Sequence, residues 1–293
     1  MFSYAVLVHN PIASICFLAY AMSFLSLWMR KTAWLWGSFL FIAYVLALQA
    51  GIAEWISLIP VLILCFCHYF LKRDLAKGPR FLFFCVALGV SLALSFHFLP
   101  GFHNWKLVSD LCLSPGAYPY NLWLNFDKPF IGLFALAFSI PLLSSKAEML
   151  RVLKISIPTS IVGILVLIGI SLSCHLVAWD PKIPTIFFLW FFDNLIFVSI
   201  PEEAFFRGFI QRGIFQWFGS TSMAGAASIF ITSILFTLLH LIWVANLPFL
   251  SLVFVASMIY GTIYQMTKSI EASILCHFGL NVVHFLFFSY PAL

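Results

Sequence analysis

Charge is what this chain has least of. Only 9% of its 293 residues are Asp, Glu, Lys or Arg, against roughly a quarter in a soluble domain, and 63% are hydrophobic. Such a chain cannot cover itself with a solvated surface, which excludes a soluble enzyme and implies a polytopic integral membrane protein. Also lacking is any Pro-, Gly- or Ser-rich linker or run of like charge that would set off a soluble domain, so a single membrane domain is expected. The net charge of +5 comes from short basic clusters between apolar spans rather than from one stripe, which argues against nucleic acid as a partner. Most of the seven cysteines lie in apolar runs, where a thiol behaves as a small hydrophobe. Only Cys112 sits in a long loop, so no disulfide pair is expected. Cys65-x-Cys67-His68 points its side chains in different directions from a helix, which favours packing over a metal site. Three signatures are missing as well: Ser-x-x-Lys, Gly-x-Ser-x-Gly and His-Glu-x-x-His. Covalent catalysis by serine therefore has no support, and Cys276, adjacent to His277, does not face it.

What the chain has is apolar length. Runs near 11–29, 33–50, 56–71, 81–99, 130–145, 155–179, 188–217, 222–244, 248–265 and 272–290 approach the ~20 residues that cross a bilayer. The expected fold is all-α, a polytopic transmembrane bundle of about ten helices. The run from Pro11 to Met29 has neither the basic start nor the small-residue cleavage site of a signal peptide and reads as a retained span. If the spans alternate, Arg30, Lys31, Lys72, Arg73, Lys77, Lys146, Arg151, Lys154, Arg212, Lys268 and Arg80 fall on one side, and Lys106, Lys128 and Lys182 on the other. That bias makes the first side cytoplasmic and puts both termini on the opposite side. The longest loop, Pro100 to Pro129, is then extracytoplasmic, and its Trp105 and Trp123 fit an aromatic belt.

Against this background three polar motifs stand out, all in the last third. Pro201-Glu202-Glu203-Ala204-Phe205-Phe206-Arg207 puts three ionisable side chains into an apolar run, and Phe236-x-x-x-His240 and His277-x-x-x-Asn281 each set two residues one turn apart on a helix face. An ionisable residue inside a span is costly enough to be read as functional. Glu203 and Arg207, at i, i+4 with the acid first, form a favourable helical ion pair. Glu202, rotated about 100° away, is then the free carboxylate. If the chain folds back at Gly219-Ser220-Thr221, Glu202 lies 17 residues before the turn and His240 lies 19 after it. At 1.5 Å per residue both sit roughly 25–29 Å from the turn, level across an antiparallel hairpin. A helix through Asn194 to Trp217, kinked at Pro201, follows. His9, His68, His97, His103, His175 and His284 read as packing or interfacial residues.

A carboxylate beside an imidazole can take a proton from water and return it to a leaving amine. A second imidazole and a carboxamide can donate hydrogen bonds to a developing oxyanion. In this order the three motifs resemble the CAAX protease and bacteriocin-processing family, also called the Abi family of glutamic intramembrane proteases. The resemblance covers about Pro201 to Asn281, under a third of the chain. It implies that Glu202 activates water with help from His240, that His277 and Asn281 form the oxyanion hole, and that Glu203, Arg207 and Phe236 support them. Residues 1–180 would then be accessory membrane helices and 181–293 the catalytic core. Hydrolysis would need no metal or other cofactor, the substrate would be a membrane-associated protein or peptide in the bilayer, and a bacterial protein of this kind would sit in the inner membrane. Two rival readings use the same residues: a zinc hydrolase ligated by Glu202, His240 and His277, and a scaffold or proton-coupled transporter relaying protons through the buried Glu and His. A transporter typically repeats its broken helices in two halves, whereas here the polar motifs are confined to one end.

Overall fold

The structure, a computed structural model, describes residues 4–29, 34–219, 221–241 and 246–291. Arg30, Lys31, Ser220 and positions 242–244, which entered the charge count, the turn and the eighth run, lie outside the described residues. The architecture is an all-α membrane bundle. Among the described residues five helices are long and apolar enough to cross a membrane: α5 (Lys77–Ser95), α7 (Lys146–Ser173), α11 (Ser222–His240), α12 (Leu247–Thr267) and α13 (Ile270–Phe287). Shorter apolar helices are α2 (Pro11–Ser26), α3 (Leu35–Gln49) and α4 (Leu58–Leu71), preceded by the single turn and a half of α1 (Ala5–His9). Large side chains stay exposed along them, for example Ile157, Ile161, Val162, Leu165 and Val166 on α7, because lipid is as apolar as the core.

Two expectations fail locally. The run 130–145 is not a span: α6 is the nine-residue Phe130–Phe138. The amides of Ser139 and Ile140 both close on the Ala135 carbonyl, and Pro141, lacking an N–H, cannot carry the helix on. The long loop holds a small sheet. Trp105–Leu111 (β1) and Tyr120–Leu124 (β2) pair as a two-stranded sheet, with Lys106 over the Trp123 ring. Further on, α7 begins nine residues before the expected 155, since Ser145 caps it by accepting from the Glu148 amide while Glu148 accepts from the Ser144 amide and hydroxyl. That reciprocal arrangement anchors a helix start more firmly than hydropathy indicates.

The chain divides into two compact units, and it passes between them several times. The first comprises 1–109, 121–140 and 195–204. At its centre Tyr20 packs on Phe126, Phe130 and Phe197, with ring centroids 5.0, 5.2 and 5.5 Å away. Phe197 thereby anchors the segment 195–204 in this unit. The second comprises 110–120, 141–194 and 205–293. Here α7, α12 and α13 pack around Val152, Leu167, Tyr260, Ile263 and Cys276, and α11 packs on α12.

Helical structure runs without a break from 187 to 217, but not as one α-helix. It passes from α8 (Phe187–Asp193) through the π-helical turns Asn194–Ser199, then α9 (Ile200–Glu203), the π-helical turns Ala204–Gln211 and α10 (Arg212–Trp217). Pro201 cannot supply the amide for its own turn and crowds the preceding one. Wider turns on both sides absorb that defect, and such turns gather at functional sites.

Candidate functional site

Glu202 and Glu203 lie in the first unit, on α9, and both are buried. Glu202 is not the free carboxylate expected of it: the Lys128 ammonium donates to its Oε1 at 2.7 Å. Lys128 comes from just before α6, which lies against α9 at Gly132. A Cβ on that glycine would stand 2.3 Å from the Pro201 Cα, so only glycine permits this approach.

The remaining predicted residues lie in the second unit, where His240, His277 and Asn281 line one cavity of about 280 Å³. His240 closes α11, and its Nδ1–H donates to the Phe236 carbonyl at 2.8 Å. A carbonyl can only accept, so Nδ1 carries the proton and Nε2 is the basic nitrogen. The Phe236 ring lies 4.5 Å from the His240 ring and 6.2 Å from that of His277. His277, one helix over, stacks on Tyr260 at 4.8 Å and 13°, which holds the imidazole plane.

Arg207 also belongs to this unit and is fully buried. Its guanidinium donates to Ser257 Oγ at 3.0 Å and lies over Phe206, Phe236 and Tyr260. One turn on, Gln211 Nε2 donates to the Gly261 carbonyl. Two consecutive turns thus lock the segment 204–211 to α12. Of the turn expected at 219–221, Gly219 takes a positive φ of 85° and Thr221 accepts from the Ala224 amide to cap α11. Its arms are in register where Phe206 meets Phe236 at 4.8 Å.

Two residues that the sequence did not single out line the same cavity. Asn194 Oδ1 accepts from Asn281 Nδ2 at 3.0 Å, which fixes the orientation of the Asn281 amide. Its signal was a polar residue in an apolar run, easily passed over beside Glu202. His284, read as a packing residue, continues the stripe of His277 and Asn281 at i+7. Its Nε2 donates to the Ser289 carbonyl at 3.1 Å. Apolar side chains including Leu167, Phe249, Leu252 and Ala256 form the rest of the wall.

One end of the cavity is bounded by an extended strap. The amides of Asp180 and Lys182 donate to the carbonyls of Phe287 and Leu286, and the Ser289 amide donates to that of Ala178. Leu176 and Val177 from one segment and Phe288 and Tyr290 from the other reach the cavity. The Asp180 carboxyl is held below its usual value, first by the Ser114 hydroxyl and then by Lys182. Burial pushes the Tyr290 phenol up to about 12, although Trp190 donates to its oxygen. Among the described residues no three His, Cys, Asp or Glu side chains are gathered as metal ligands.

Residues 184–283 match the family model of the Rce1-like type II CAAX prenyl endopeptidases. The match takes in all three motifs and supports the kinship read from them. No curated protein and no solved structure matches the chain.

Proposed function

We propose, taking that kinship with the CAAX endopeptidases as the premise, that this integral membrane protein is an intramembrane endopeptidase of glutamic type. It hydrolyses a peptide bond in a membrane-associated protein or peptide. Residues 181–293 make up the catalytic core and 1–180 serve it. Glu202 is the general base that takes a proton from water, and His240 Nε2 shares that proton and returns it to the leaving amine. His277 and Asn281 donate to the oxyanion, and Glu203 neutralises Arg207.

The observation that carries this reading is the cavity on which His240, His277 and Asn281 converge with their ring and amide planes held by Phe236, Tyr260 and Asn194. The hairpin register supports the role of Glu202. Phe206 and Phe236 face each other, and in the sequence Glu202 and His240 each lie four positions further from the bend. Apolar walls around few polar groups suit a peptide with an apolar side chain or tail next to the scissile bond.

The test uses protein reconstituted in liposomes with a farnesylated peptide ending in a CAAX sequence. Wild type is expected to cleave it, and Glu202→Gln and His240→Ala to lose the activity while still folding. Full cleavage by Glu202→Gln would overturn the assignment. Activity that tracks bound zinc and disappears on chelation would replace it with the metal-dependent reading.

A further inference from the structure

The family match begins at residue 184, so of the first unit it takes in only 195–204. That unit contains a connected set of charges ending at Glu202. His97 Nδ1–H donates to Asp127 Oδ2 at 2.6 Å, and the Lys128 amide donates to Asp127 Oδ1 at 2.8 Å. Both oxygens of a buried carboxylate are thus engaged, one by His97 and the other by the backbone of Lys128. From there the Lys128 side chain, 22% exposed, reaches Glu202, which is 8% exposed. The last contact joins residues 74 positions apart. Asn104 secures the same turn by accepting from the Phe126 amide, and Gly132 lets α6 close on Pro201.

We propose that Lys128 is the positioning residue of Glu202. Its ammonium pairs with a buried carboxylate, and by donating to Oε1 it fixes the plane in which that carboxylate meets water. The His97–Asp127 pair acts one step further back, holding Lys128. Within the first unit, residues outside the three motifs therefore act on Glu202 directly. This rests on the proposed role of Glu202 as the base, and the experiment separates the two.

A lysine that only stiffened the fold would change stability and not turnover. Cleavage of the farnesylated CAAX peptide is measured for wild type, Lys128→Met, Lys128→Arg and Glu202→Gln in liposomes. Lys128→Met is expected to lower kcat about tenfold or more while KM changes less than about twofold, the mark of an interaction made in the transition state. Lys128→Arg restores kcat to within about threefold, because a cation is again present to donate to Oε1. Lys128→Met turning over at the wild-type kcat while Glu202→Gln is inactive would overturn this inference and leave the proposed function standing. Equal cleavage by wild type and Glu202→Gln would overturn that function instead.

Thermal unfolding of wild type, the two single variants and Lys128→Met/Glu202→Gln tests the pair without activity. The loss on removing Lys128 should shrink once the carboxylate is gone, and a poorly folding Lys128→Met should be rescued by Glu202→Gln. Strictly additive losses would overturn the pairing.

Discussion

An imidazole or an amide is useful in catalysis only if its donors and acceptors point the right way, and in this protein neighbours decide that. The Phe236 carbonyl takes the Nδ1 proton of His240, so the base faces away from its own helix. Asn194 takes one amide proton of Asn281, leaving the other to be aimed at an oxyanion. Asn281→Ala is expected to lower kcat by ~10²–10³, the usual cost of one oxyanion donor. Asn194→Ala should cost less, and Asn194→Asp, which keeps the accepting oxygen, less still. Single-turnover cleavage would measure both, and an Asn194→Ala protein as fast as wild type would refute the orienting role. His240, His277 and Asn281 were legible in the sequence because a polar residue in an apolar run is conspicuous and one-turn spacing puts it on a shared face. Lys128 was not, since a partner 74 positions away leaves no local periodicity, and its place in a loop gave it a bland explanation.

Among the elements, a long helix from Asn194 to Trp217 kinked at Pro201 was foreseen, and helical structure runs through that segment without a break. The π-helical turns on either side were not foreseen, because they answer to packing on Phe197 and Ser257 rather than to any residue pattern within the segment. Gly132 is the tightest point beside Pro201. Gly132→Ala forces α6 outward and should cost ~1–3 kcal/mol by overpacking, with cleavage lost in proportion as Lys128 withdraws. Thermal unfolding together with cleavage measures this, and unchanged values in both would contradict the close approach. The strap makes a separate prediction. The folded Asp180 carboxyl titrates below its ordinary 3.8, so its contribution is present above that value and disappears as the pH falls through the depressed one. Its side chain is 31% exposed, so the effect is small. Amide exchange at Asp180, Lys182 and Ser289 should speed up only below the ordinary carboxylate range, and Asp180→Asn should remove that step. Persistence of the step in Asp180→Asn would assign it to another group.

Taken as a whole molecule, the membrane character follows from composition alone, and the exposed aliphatic faces of α2, α4 and α7 agree with it. Apolar runs counted helices well but not lengths, because Pro141 and the Ser145 cap act through backbone hydrogen bonds that hydropathy does not register. The alternation of spans predicts an extracytoplasmic loop at 100–129. Cys112, an exposed free thiol in that loop, should react with an impermeant maleimide applied outside intact cells, whereas buried Cys16, Cys67 and Cys276 should not. Labelling of Cys112 only after permeabilisation would reverse the assigned orientation.

The central claim is that Glu202 drives peptide-bond hydrolysis within this bundle. The most direct measurement is oxygen-18 incorporation from labelled water into the new carboxyl terminus of the farnesylated CAAX peptide, with wild type and Glu202→Gln compared in liposomes containing a chelator. The account predicts one labelled oxygen per cleavage for wild type and none for Glu202→Gln. Undiminished incorporation by Glu202→Gln, or its complete loss from wild type on chelation, would contradict it.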